Sequence, residues 1–129
     1  MTQIYKEWLE FAKSDMKNAE ILFTHNSYKD SIWYCHQAIE KLLKAILSNQ
    51  GKTVRKTHDL IGLLEETNVN YQKSLSTFLE ELNPYYIPTR YPEAGFTFKI
   101  TYSKTKARKI FLTTKEVFKW LRIELNHKK

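Results

Sequence analysis

Residues 28–50 read YKDSIWYCHQAIEKLLKAILSNQ, and this stretch decides the fold. At 100° per residue, Tyr34, Cys35, Ala38, Ile39, Leu42, Leu43, Ala45, Ile46 and Leu47 cover well over half of a helix circumference. A helix apolar over so much of its surface is packed on several sides, at the centre of a bundle or of a dimer. Gly51 stands where a C-terminal cap belongs. The narrow remaining arc holds Trp33, Gln37, Glu40, Lys41, Lys44 and Ser48. Glu40 with Lys44 and Gln37 with Lys41 are i,i+4 pairs, each contributing only tenths of a kcal/mol if exposed. Trp33 on a polar arc reads either as an interface or ligand residue or as packing under a loop.

Working outward, Ile4, Trp8, Phe11, Ala12, Met16, Ala19 and Leu22 follow three-and-four spacing and predict a first helix over 4–23. Asp15 falls inside that apolar stripe, so its carboxylate must be hydrogen-bonded or ion-paired. His25-Asn26-Ser27 is a break short enough only for an antiparallel hairpin. Beyond the central helix, residues 52–56 form a basic linker, and Thr57 is the expected N-cap of a short helix opened by His58-Asp59-Leu60. A further helix is predicted over 71–82 from Leu75, Phe78, Leu79 and Leu82. Residues 83–103 are irregular and hold all three prolines, four of the eight tyrosines and Arg90. A last helix over 104–126 carries Ala107, Ile110, Phe111, Val117, Phe118, Leu121 and Leu125 on one side. The whole reads as one all-α domain over 1–129. It is an antiparallel four-helix bundle with one short extra helix and a long Tyr/Pro-rich loop before the last helix.

Composition agrees. At 129 residues the chain is one domain long, and 42% hydrophobic content with 14% aromatics excludes a disordered tail. The longest run without Asp, Glu, Lys or Arg is Ser31–Ile39, nine residues, too short to span a bilayer. Lys6, Glu7, Glu10 and Lys13 stand where a signal peptide would be apolar, and the single Cys35 suits a reducing compartment, so a cytoplasmic location is expected.

The charge is uneven. Residues 1–50 and 51–102 are each neutral, six basic against six acidic, whereas 103–129 carry nine basic residues against Glu116 and Glu124. The entire formal charge of +7 therefore sits in the last segment. Lys104, Arg108, Lys115, Lys119 and Arg122 project within about 60° of one another on the last helix. Such a stripe is either a solvated face or a surface for nucleic acid, nucleotide phosphates or an acidic partner.

Several chemistries are excluded. His58-Asp59 has no downstream aspartate to complete a metal phosphohydrolase site. Only Glu124 to His127 has the Glu-x-x-His spacing that a di-iron bundle needs twice. Gly51, Gly62 and Gly95 are too dispersed for a phosphate-cradling loop, and no Cys/His cluster could hold zinc. No metal and no cofactor are expected.

The run from Cys35 to Ala45 resembles the signature helix of HEPN domains. Ala12-x-x-Asp15-Met16-x-x-Ala19 before it, and His58-Asp59-Leu60 with Leu63-Leu64 and Arg90-Tyr91-Pro92 after it, fall in that family's order. The resemblance implies a helical bundle, commonly homodimeric, of the kind encoded beside a minimal nucleotidyltransferase and discussed as a nucleotide-binding or toxin–antitoxin module. In that reading Trp33, Gln37, Glu40, Lys41, Lys44, His58, Asp59, Arg90 and Tyr91 line a polar cleft or interface, and the basic stripe meets phosphates or the acidic partner.

The resemblance also implies an alternative. Many HEPN proteins are metal-independent ribonucleases with an Arg-x(4–6)-His motif, and Arg122-Ile-Glu-Leu-Asn-His127 has that spacing. His127 would then act as general base on a ribose 2′-hydroxyl and Arg122 would stabilise the phosphorane. Five residues of helix turn the two by about 140°, so they converge only where the helix ends or a second subunit contributes.

Overall fold

The central helix forms as its periodicity requires and is surrounded inside a single chain. In the computed structural model, which describes residues 4–86 and 102–127, the elements are α1 (Ile4–Thr24), α2 (Tyr28–Asn49), α3 (Leu60–Thr67), α4 (Lys73–Leu82), a 3-10 turn (Asn83–Tyr86) and α5 (Lys104–Asn126). No strand occurs among the described residues. Arg90 and Tyr91 lie outside them.

Helix α2 packs against α1, α5, α3 and the 3-10 turn. Ile32, Cys35, Ile39, Leu42, Leu43 and Leu47 are essentially inaccessible. Each Leu or Ile buried this way stabilises the fold by about 1.5–3 kcal/mol. The two-sided apolar surface of α2, read as a sign of either a bundle or a dimer, is thus covered within the chain. A second copy would have to dock elsewhere.

The connections follow local chemistry. Asn26 takes the left-handed conformation, φ 65°, that turns α1 into α2, and Ser31 Oγ donates to the Ala19 carbonyl at 2.7 Å to hold the hairpin closed. Helix α2 ends in a Schellman motif. Gly51 at φ 77° follows the cap residue Gln50, and the N–H groups of Gly51 and Lys52 donate to the carbonyls of Ser48 and Leu47. The short helix starts later than expected. Its N-cap is Asp59, whose carboxylate accepts from the Ile61 N–H, while the Thr57 hydroxyl accepts from the N–H of Asp59 itself. Ser103 caps α5.

Helix α5 is pinned at both ends of its apolar side. Phe111 stacks on Phe23 of α1 at 5.3 Å between centroids, and Asn49 Nδ2 donates to the Leu125 carbonyl at 3.2 Å. No helix among the described residues is long and apolar enough to cross a membrane.

Candidate functional site

The polar arc of α2 is not solvated. Gln37, Glu40, Lys44 and Ser48 are all buried. The reason is that α1 and the segment around His58 close over the arc and satisfy its charges. Glu40, 2% exposed, accepts from Lys44 Nζ at 2.9 Å on Oε2 and from His58 Nδ1 at 3.0 Å on Oε1. Lys44 also lies 5.4 Å above the Trp8 ring. A carboxylate can only accept, so His58 carries a proton on Nδ1. Its ring stacks on Tyr86 at 3.8 Å and stays half exposed. The cluster thus seats a half-exposed imidazole on a buried carboxylate that Lys44 also holds.

His36 completes the cluster from below. It is fully buried, 3.8 Å from Glu40 Oε1 and 5.6 Å from the Tyr86 ring centroid. Burial pushes its pKa down to about 4, with the Glu40 charge opposing and His58 adding to the shift, so the ring is neutral near neutral pH. Around the rim, Asn83 Nδ2 donates to Asp59 Oδ1 at 3.0 Å, and Asn83 Oδ1 accepts from the Leu60 N–H at 2.9 Å. The hydrogen bond from Asn83 is the main reason that the Asp59 carboxyl is held below its usual range. Asp59 is therefore occupied as a cap and brace.

Lys41 turns away from Gln37 and reaches back to α1, donating to Asp15 Oδ2 at 3.1 Å and lying 5.9 Å from the Phe11 centroid. This supplies the partner that a carboxylate in an apolar stripe demands. Desolvation still raises the Asp15 pKa, with Lys41 pulling against it. Trp33 is half buried and meets Tyr34 edge to face at 5.1 Å.

On the opposite flank, Lys104, Arg108, Lys115, Lys119 and Arg122 are all exposed along α5, and none forms an ion pair among the described residues. The last three border a groove of about 400 Å³ floored by Met16, Phe118 and Ile123. Lys115 Nζ lies 5.6 Å from the Phe111 centroid. His127 lies on another surface. It lines a cavity of about 620 Å³ with Asn49, Gln50 and Asn68, its Nδ1 3.8 Å from Glu124 Oε1. Within one chain, Arg122 and His127 do not share a groove.

Sequence reasoning missed Asn83, Tyr86 and His36. Asn83 and Tyr86 sit in a stretch that reads as irregular. His36 has the spacing of a core residue and nothing local to mark it as part of a charged cluster.

Family comparison agrees with this architecture. The HEPN domain profile matches residues 5–124, and the chain belongs to the HEPN domain family. A protein of Methanocaldococcus jannaschii named "Putative toxin MJ1304" is 28% identical over 102 residues, covering 70% of this chain and 65% of that relative. The chain thus matches just under two thirds of that relative's length. Among solved structures, TT1696 from Thermus thermophilus superposes with a TM-score of 0.81 at 23% identity, over 94% of this chain and 98% of that one. ST0689, an archaeal HEPN homologue, gives 0.75 at 21%, over 98% and 100%. At these identities the two structures establish the shared helical fold.

Proposed function

We propose that the protein is a nucleotide-phosphate-binding and interaction member of a toxin–antitoxin-type module, acting beside a minimal nucleotidyltransferase and pairing with a second copy of itself. The observation that carries this reading is the stripe on α5: five exposed cations on one helix face with no acidic partners among the described residues. Side chains left this way attract phosphates or carboxylates and lose that attraction as salt rises. The polar cluster supports the reading differently. It braces α2 against the start of α3 and leaves the His58 ring half exposed. Membership in the HEPN family and the toxin name of the archaeal relative favour the toxin–antitoxin setting. The single, buried Cys35 fits a reducing cytoplasm.

A second reading follows from the motif spacing that the family resemblance singled out, metal-independent RNA cleavage by Arg122 and His127. The two readings separate when the purified protein and an Arg122→Ala/His127→Ala variant are incubated with RNA in chelator. Intact RNA with both proteins supports the binding module. Cleavage by the wild type that is lost in the variant selects the nuclease.

A further inference from the structure

Two adjoining cavities, about 730 Å³ between α4 and α5 and about 620 Å³ at the end of the bundle, share Asn70 and Glu124 and so form one trough. The chain carries 21 Lys and Arg, yet among the described residues none of them lines it. Residues 103–129 hold nine of these cations and only two acids, Glu116 and Glu124, and both acids line the trough. They stand on α5 in one row with Trp120, at steps of four residues, about 12 Å from first to last. Leu75 and Phe78 of α4 form the facing wall, and exposed Tyr71 adds a further ring.

Neither carboxylate meets an ammonium or guanidinium among the described residues. Glu124 keeps 19% of its side chain exposed, close to the 15% of Asp15. At that depth Asp15 has the Lys41 ammonium at 3.1 Å, and the deeper Glu40 has Lys44 at 2.9 Å. Glu124 has only the imidazole of His127, 3.8 Å away. A partly buried carboxylate has lost hydration, and a cation supplied from outside compensates it. The inner end of the trough adds to the negative potential. Helices α2, α3 and α5 all end there: their cap residues Gln50, Asn68 and His127 line it, and none of the three has a basic residue in its last turn. Lys52 does reach the end of α3, at the Glu66 carbonyl, but it stands outside the lining.

We propose that this trough binds a linear aliphatic polyamine, laid along α5 with one terminal ammonium on Glu116, the other on Glu124 and its middle over Trp120. An extended triamine with three- and four-carbon arms spans about the separation of the two acids. The indole takes the intervening methylenes by apolar contact and an inner ammonium by cation–π attraction. A monoamine reaches only one of the carboxylates. A lysine-rich peptide brings backbone N–H and C=O groups for which a wall of Leu75, Phe78 and Trp120 offers few partners. The residues are not those of the phosphate-binding stripe, so the two sites stand or fall separately. One helix then carries opposite specificities, for anions along the stripe and for cations along the trough.

Isothermal titration calorimetry of the full chain with spermidine, at low salt and with no nucleotide present, tests the assignment. Saturable binding of one spermidine per chain is expected, with a change in indole emission that Trp120→Phe abolishes. Glu116→Gln and Glu124→Gln should each weaken binding about tenfold at an unchanged melting temperature, and 1-butylamine should bind at least tenfold more weakly than spermidine. Heats that never saturate, or equal affinity in wild type and in the Glu116→Gln/Glu124→Gln variant, overturn the site. Trilysine bound as tightly as spermidine overturns the choice of a polyamine. Binding that appears only after Lys128→Gln with Lys129→Gln shows that the chain's own end serves the carboxylates, and overturns the proposal as well.

Discussion

The carboxylate of Glu40 on α2 accepts a hydrogen bond from His58, eighteen residues further along the chain, at 3.0 Å, while Lys44 holds its other oxygen at 2.9 Å. This contact joins the central helix to the segment that starts α3. It also converts what would be a solvated i,i+4 pair into a buried one.

A buried pair is costly to break from one side. Glu40→Ala leaves the Lys44 ammonium enclosed without its acceptor, and the expected loss is about 3–5 kcal/mol of stability in urea titration. Replacing the pair together, Glu40→Leu with Lys44→Met, should recover much of that loss, because no unpaired charge remains.

His36 makes stability depend on pH. Its folded pKa of about 4 lies below the unfolded value of 6.5, so the unfolded chain takes up a proton that the folded chain refuses. Its contribution is intact above the unfolded value, falls as pH descends through this window, and is fully lost below the folded value. The span corresponds to about 3 kcal/mol. Asp59, whose carboxyl is held low by Asn83, adds loss in the same direction on acidification. Asp15, raised by desolvation, opposes it. Urea midpoints measured from neutral pH down to mild acid should fall steadily in wild type and flatten in His36→Leu.

Asn83 bridges two elements with one amide, donating to Asp59 and accepting from the N–H of Leu60. Asn83→Ala should cost about 1–2 kcal/mol and move the Asp59 carboxyl back toward its ordinary range, visible by NMR titration.

Cys35 is fully buried, and desolvation pushes its thiol up to about 12. It should stay silent toward a thiol reagent in the native protein at neutral pH and react stoichiometrically once urea unfolds the chain.

The long elements were legible because their apolar residues repeat with one period over five or six turns: α1, α2 and α5 could be read from Trp8, Leu42 and Leu121 and their neighbours. Asp15 was legible as a group that must have a partner, though not as the partner of Lys41, since the hairpin that joins them is set by Asn26. The start of α3 was not. Thr57 and Asp59 are both capping residues, and the choice falls to Asp59 through Asn83, 24 residues downstream. The burial of Gln37, Glu40 and Lys44 was hidden for the same reason. Periodicity reports which face is polar but not that it is buried, and it was the family resemblance that set His58 beside Glu40 and Lys44.

The central claim is that the cations of α5 hold phosphates. Fluorescence anisotropy with a labelled RNA oligonucleotide, repeated across a salt series, tests it directly against Lys115→Glu/Arg122→Glu. The account predicts binding that falls linearly in log K against log salt, and at least a tenfold loss in the variant at low salt. Equal binding by the two proteins, or binding indifferent to salt, would contradict it.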